Sequence, residues 1–440
     1  MQTKFDAIVI GAGPAGSSAA ILLSRAGWNV ALVEKQIFPR RKVCGECIAA
    51  SNLPLLDALG IGAALRANAG AELSKIAIMH RDQIIVSNLP EALDERYPLG
   101  MALSRETLDT LLLEQARLSG TQVLQPYSVK SIIGKAGDWS CTVKASESNA
   151  LFILQAPVLI GAHGSWEAIH SDRPQRRLER KASDLFAFKA NFSNATLDNG
   201  LLSVLSFKGG YGGIVVGGDG ITTLACCIRR DRLESCRLAM PKLRIGTVVE
   251  ALLKRECKGV QLALKGAILK GRWLTVGPLD PGVRLWTKDE MFRIGNAAGE
   301  AHPIIGEGMS MAIQSAWLLC THLLKSDRNK VVTSAQLQHD IQRLYVHDWR
   351  KQFLPRMRLA TALAHIAMQP SLAQPLITIA KNCPSLMTLG AKLAGKIHCA
   401  VEQDLISLHS TISDSMKKSN VSSLGYMDSL ESKRLYREKM

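Results

Sequence analysis

Phe5-Asp6-Ala7-Ile8-Val9-Ile10-Gly11-Ala12-Gly13-Pro14-Ala15-Gly16 stands near the N-terminus and decides how the rest of the chain is read. The apolar run from Phe5 to Ile10 suits a parallel strand covered on both faces. Pro14 to Gly27 is Ala-rich with helical spacing, and Gly27 sits where a helix stop belongs. Trp28–Val33 then reads as a second strand. In this setting the glycines serve different ends. Gly11 permits a tight turn, Gly13 lets the backbone approach a pyrophosphate, and Gly16 lets the helix pack closely on the strand. The helix that Pro14 and Ala15 begin offers free N–H groups and partial positive charge to phosphates. Glu34, with Lys35 beside it, ends the second strand, where an acid grips adenosine ribose hydroxyls and repels a 2′-phosphate. The stretch predicts a dinucleotide site for FAD or NAD rather than NADP.

Further along, Met291–Ile294 reads as another strand, followed by Gly295-Asn296-Ala297-Ala298-Gly299-Glu300-Ala301-His302-Pro303-Ile304-Ile305-Gly306-Glu307-Gly308-Met309. The turn at Gly306 and Gly308 precedes a predicted helix from Gly308 to Leu324, so its backbone N–H groups would stabilise negative charge on a reduced flavin ring. Leu159-Ile160-Gly161-Ala162-His163-Gly164-Ser165 closes a short strand. Phe38-Pro39-Arg40-Arg41-Lys42-Val43-Cys44-Gly45-Glu46 combines a basic cluster with the start of a CxxC pair, Cys44 and Cys47. A dithiol redox pair or a zinc half-site rank below a cofactor role for this segment, because no second CxxC supplies further ligands. Arg105 begins a predicted helix over Ser104–Ser119, and Gly209 to Val216 is a glycine-rich strand carrying Tyr211.

Residues 293–309 resemble the flavin segment of the superfamily that joins the aromatic hydroxylases, or group A flavin monooxygenases, to the geranylgeranyl reductases. Gly-Asn-Ala-Ala followed by His302-Pro303 is similar to the ubiquinone-biosynthesis hydroxylases. The Phe38–Glu46 segment resembles one in geranylgeranyl reductases and flavin-dependent halogenases. The likeness covers roughly residues 3 to 325. It implies FAD as cofactor, held by Gly11, Gly13, Pro14, Ala15, Gly16, Glu34, Lys35, Arg41, Cys44, Gly45, Arg105, Gly295, Asn296, Pro303, Gly306, Gly308 and Met309. It also implies NAD(P)H as donor, and a substrate pocket at Tyr211 and Gly213. His302 and Glu46 are the catalytic candidates. The chain departs from the pattern at Asn296 and His163, each in place of an Asp, and at Ile169-His170 in place of Val-Arg. The last two changes weaken the expectation of NADPH reduction more than that of FAD binding. The Gly-Trp-x-Trp-x-Ile-Pro signature of halogenases is absent, which puts halogenation behind. The resemblance implies a monooxygenase that hydroxylates a lipophilic aromatic, quinone-precursor or polyketide substrate through a hydroperoxide at flavin C4a. A reductase of C=C bonds is the second reading, and a non-catalytic FAD-binding partner is the third.

The expected architecture is α/β: a Rossmann-like FAD-binding domain over residues 1–175 and 285–325, with an inserted, mostly antiparallel β-sheet domain over 176–284. Part of 70–105 is expected on the substrate side. A helical region over 326–415, with breaks at Pro355, Pro370, Pro375 and Pro384, and a polar tail over 416–440 complete it. Of the 440 residues, 47% are apolar, an ordinary globular composition. The formal charge of +16 suggests an anionic partner, whether the nucleotide cofactor, an acidic carrier protein or a membrane surface touched peripherally, or else simply a basic, solvated surface, and no nucleic acid is expected. Ten cysteines without a framework of spacings, and no leader before the first strand, suggest free thiols in the cytoplasm. The most apolar late stretch, Ser371 to Gly395, is interrupted by Pro375, Lys381, Pro384 and Lys392 and so does not read as a membrane span, which needs ~20 residues. The basic helix expected over Asp340–His365 should pack its apolar side on its own domain.

Overall fold

In the computed structural model, residues 3–148, 150–165, 180–286 and 290–395 are described. The opening strand, Ala7–Ile10, is buried along its whole length. It lies parallel to Val30–Val33 on one side and to Val158–Gly161 on the other. Gln122–Leu124 and Phe292–Arg293 extend this to a five-stranded parallel sheet, the last returning from far along the chain. The helices Pro14–Arg25, Arg105–Leu118 and Gly308–Leu324 join the sheet in one hydrophobic core. Ser104 caps the second of them, its Oγ accepting from the Thr107 N–H. A three-stranded meander, Tyr127–Lys135, Asp138–Ala145 and Leu151–Ala156, covers the other face.

The second sheet has seven strands, in the order Ile268–Val276, Leu185–Ser193, Thr222–Arg229, Gly210–Val216, Leu201–Phe207, Lys75–His80 and Gln83–Asn88. All neighbours are antiparallel except Leu201–Phe207 with Lys75–His80. The turn at Gly217–Gly220 joins Gly210–Val216 to its antiparallel neighbour Thr222–Arg229. Three helices not foreseen in the sequence, Arg230–Ala239, Ile245–Glu256 and Lys258–Ala263, pack against this sheet.

The C-terminal part begins with a short helix, Arg328–Thr333, and a 34-residue helix, Ala335–Met368, about 50 Å long at 1.5 Å per residue. The expected breaks at Pro355 and Pro375 do not occur: Pro355 lies inside this helix and Pro375 inside Pro370–Asn382. Both prolines are on the exposed side, where water can serve the carbonyl each leaves without its helical partner. The buried stripe Tyr345, Trp349, Phe353 and Met357 runs through the first of these sites without interruption. Packing therefore outweighs local propensity. Pro370 and Pro384 do mark helix starts, the second preceding Ser385–Leu393. No helix among the described residues is long and apolar enough to cross a membrane.

Candidate active site

The glycine turn is built as its sequence requires. Gly11 has φ of +101°, and a Cβ there would stand 2.6 Å from the Ala162 carbonyl oxygen. A Cβ on Gly16 would fall 1.8 Å from the Gly11 oxygen. Gly13 differs: its Cβ would meet nothing closer than the Arg105 Nη2 at 3.9 Å and the Arg40 Nη2 at 4.0 Å. Gly13 is also the extended N-cap residue of Pro14–Arg25, with no side-chain cap over the helix end. Open space at a helix N-terminus, faced by two guanidinium groups, fits a pyrophosphate. Glu34 is buried and accepts the Ala12 N–H at Oε2 and the Gln36 N–H at Oε1, both at 2.9 Å. These bonds hold its carboxylate beside the turn.

The surrounding charges are arranged as a network. Arg105 grips Asp109 with two bonds of 2.7 Å, Nε to Oδ1 and Nη2 to Oδ2. Arg40 Nη2 lies 3.5 Å from Glu34 and 3.7 Å from Asp109. Burial, with Arg40 and Arg105 nearby, pushes the Lys42 ammonium down to about 8. Three cations thus lie close to two carboxylates, a concentration of positive charge that fits a phosphate. Arg41, expected at the cofactor, turns instead to the second sheet: it donates to the Arg272 carbonyl at 3.3 Å and lies 3.8 Å from Glu106. Arg40 takes the position at the turn. Lys35 is exposed.

Cys44 is half-buried, Gly45 is exposed and Glu46 is buried. The Glu46 N–H reaches the Cys44 Sγ at 3.4 Å. Glu46 has φ of +60°, an unusual conformation for a residue with a side chain. Its carboxylate receives the ammonium of Lys189, the Thr223 hydroxyl at 2.5 Å and the Arg105 N–H at 3.0 Å. Lys189 is wholly buried in Leu185–Ser193. Glu46, a catalytic candidate from sequence, is thereby fixed as a buried link between the cofactor loop and the second sheet.

The second glycine segment follows the parallel strand Phe292–Arg293. Gly295 has φ of +58° and its N–H donates to the Ser315 Oγ at 2.8 Å. The Asn296 Nδ2 donates to the Ser165 Oγ at 3.0 Å, and its carbonyl accepts from Arg284. Pro303 opens a single turn of 3-10 helix that ends at Gly306, φ +64°. Gly308 is exposed with open space before its missing Cβ, and Met309 is buried behind it. This is a cradle for a flat ring at a 17-residue helix N-terminus. His302 precedes it. Its Nδ1 lies 3.2 Å from the Tyr211 Oη, and its ring meets that of His365 edge-on with 6.0 Å between centroids. Burial, with His365 beside it, pushes His302 down to about 4. Burial also drives the Tyr211 phenol well above its ordinary range. Tyr211 and Gly213 lie on Gly210–Val216, and Tyr211 is packed under Ala364, Ala367 and Met368. His163 is pushed down to about 4 by burial, then by Arg293, Arg284 and Lys35. Ile169 and His170 lie outside the described residues.

Sequence reading missed Asp109, Lys189 and His365, and from the basic cluster it took Arg41 rather than Arg40 for the cofactor. Asp109 carries a usable signal, four residues after Arg105 on one helix. Nothing local separates Arg40 from Arg41, and Lys189 is 143 residues from its partner.

Residues 4–229 match the family model described as FAD binding domain. Conditioned medium factor receptor 1 of Dictyostelium discoideum is 24% identical over 365 residues, which cover 80% of this chain and 68% of that protein. The 6-methylpretetramide 4-monooxygenase of Streptomyces rimosus is 25% identical over 397 residues, 84% of this chain and 88% of its own. Among solved structures, the myxobacterial chondrochloren halogenase aligns with a TM-score of 0.67 at 17% identity, over 93% of this chain and 97% of that one. At that identity the likeness is one of fold.

Proposed function

The chain belongs to the FAD-binding-domain family of flavoprotein oxidoreductases, and from that premise we propose that it is a monooxygenase acting on a lipophilic aromatic hydroxyl compound. Bound FAD supplies the redox chemistry. The balance is substrate R–H, O₂, NAD(P)H and one proton in, and R–OH, water and NAD(P)⁺ out. The chain's own residues bind and orient. The Gly13 turn, Arg40 and Arg105 would hold the pyrophosphate, Glu34 the adenosine ribose, and the Gly306–Met309 turn the ring edge on which negative charge develops.

The observation that carries the proposal is the buried pair of His302 and Tyr211, beside the ring cradle. Hydroxylating a phenol is easier when the ring is electron-rich, which requires its hydroxyl proton to leave. His302 is unprotonated at physiological pH; burial makes it a weak base in the free protein, but a phenolate forming beside it would raise its proton affinity and let it accept that proton, with Tyr211 fixing its ring through Nδ1. His365 is exposed and is the next titratable ring toward solvent.

The test is turnover of phenols and quinone precursors by the FAD-loaded protein in isotopically labelled dioxygen. Label is expected in the product. His302→Ala should lower kcat by about 100-fold, the low end for a lost acid–base group, with flavin content unchanged. Reduction of a C=C bond without label would replace this reading with that of a reductase. Unchanged turnover in the variant would remove His302 from the reaction.

A further inference from the structure

The Ser371–Gly395 stretch, too interrupted to span a bilayer, is folded into two helices, Pro370–Asn382 and Ser385–Leu393. At 1.5 Å per residue they are about 20 Å and about 14 Å long, short of the ~30 Å hydrocarbon core. Ala373, Ile377 and Ala380 of the first and Met387 of the second share one buried cluster with Ile85 at the edge of the seven-stranded sheet. The Thr388 Oγ1 donates to the Asn88 carbonyl at 2.7 Å and helps fix the second helix there. Their apolar residues are not used up by that packing. Leu372, Leu376 and Ile379 form an i, i+4, i+7 stripe, and Leu386, Leu389 and Leu393 an i, i+3, i+7 stripe. These six side chains are between 44% and 63% exposed.

The charges along this part of the chain have one sign. From Trp349 to Val401 the sequence contains no Asp or Glu. Lys381 and Lys392, the only charged residues on the two helices, are both exposed. Short helices with an outward aliphatic stripe, lysines and no acids match an anionic bilayer surface. The leucines enter the acyl boundary and the lysines extend to the headgroups. A charged or polar protein partner would leave the six aliphatic side chains unmatched.

We propose that helices Pro370–Asn382 and Ser385–Leu393 dock this protein on an anionic membrane surface. The inference does not depend on the reaction, and its test reads no turnover. The full-length, FAD-loaded protein is sedimented with phosphatidylcholine vesicles with and without phosphatidylglycerol. Binding is expected to the anionic vesicles, weak binding to the neutral ones, and loss in high salt. Leu376→Glu with Leu389→Glu should reduce the partition coefficient at least tenfold, as should Lys381→Glu with Lys392→Glu. Leu238→Glu, at another exposed leucine, should leave it unchanged. Retained flavin absorbance shows that each variant is folded. Wild-type protein that stays in the supernatant overturns the proposal, as does equal binding by the leucine variant. A dimer in light scattering that the leucine variant dissolves, without vesicle binding, assigns the face to a second copy instead.

Discussion

Gly13 and Gly16, three residues apart, meet different constraints. At Gly16 an added methyl group would collide with the Gly11 backbone. At Gly13 it would enter the space in front of two guanidinium groups. Gly13→Val should therefore fold and bind no FAD, whereas Gly16→Ala should lower the melting temperature of the apoprotein itself. Flavin content and thermal unfolding, measured on both, separate the two effects. Lys42 supplies a pH dependence of definite sign. With the ammonium pushed down to about 8, the free protein loses this proton above that pH, while a bound pyrophosphate favours the protonated form. FAD binding should take up a proton there, and affinity should weaken with rising pH, approaching about tenfold per unit. Titration calorimetry in buffers of different ionisation enthalpy measures the uptake. Lys42→Met should bind more weakly at neutral pH and show a flat profile.

Elements and their junctions account for much of what the sequence did and did not disclose. The helix Gly308–Leu324 was legible to both ends, because a glycine turn starts it and a mostly apolar stretch without Asp, Glu, Lys, Arg, Pro or Gly follows. The opening strand, turn and helix were legible because an apolar run, a glycine turn and a helix-spaced stretch follow one another there, although the strand's partners come from further along the chain. Arg230–Ala239, with five charged residues in ten, has little apolar pattern from which to read a helix, and it forms where the seven-stranded sheet offers a core to pack against. The prolines at 355 and 375 misled because their helices are sustained by distant packing. Least legible was the junction of Glu46 with Lys189, which exists only once the two sheets are brought together. A half-removed buried ion pair leaves a charge without its counterion, so Lys189→Met should cost about 3–5 kcal/mol. Urea unfolding checks this. Glu46→Gln in the same chain should recover most of the loss, since the amide oxygen can still accept from the Arg105 N–H and the Thr223 hydroxyl can turn to accept from the amide NH2 that replaces the other carboxylate oxygen. The positive φ at Glu46 makes the junction more demanding still, because the surrounding bonds must hold a conformation that itself costs about 1–3 kcal/mol.

Across the whole molecule, the long helix Ala335–Met368 belongs to more than one core. Tyr345, Trp349 and Phe353 are buried with the parallel sheet, and the Tyr345 Oη donates to the Arg293 carbonyl at 2.8 Å. Ala364, Ala367 and Met368 are buried with Tyr211 on the seven-stranded sheet, where the Ser206 Oγ and the Gly209 N–H reach the carbonyls of Ala367 and Met368. Trp349 fills the position where a Cβ on Gly299 would stand, 2.6 Å from its ring. Trp349→Ala should cost about 3–5 kcal/mol. Flavin release and loss of β-sheet signal should shift together, because one helix supports both halves. The helix acts as a ligament without a hinge. The two sheets are tied at Glu46–Lys189 on one side and along some 50 Å of helix on the other. A reactant would then reach the site through movement of local loops, with the two halves of the protein tied to each other throughout.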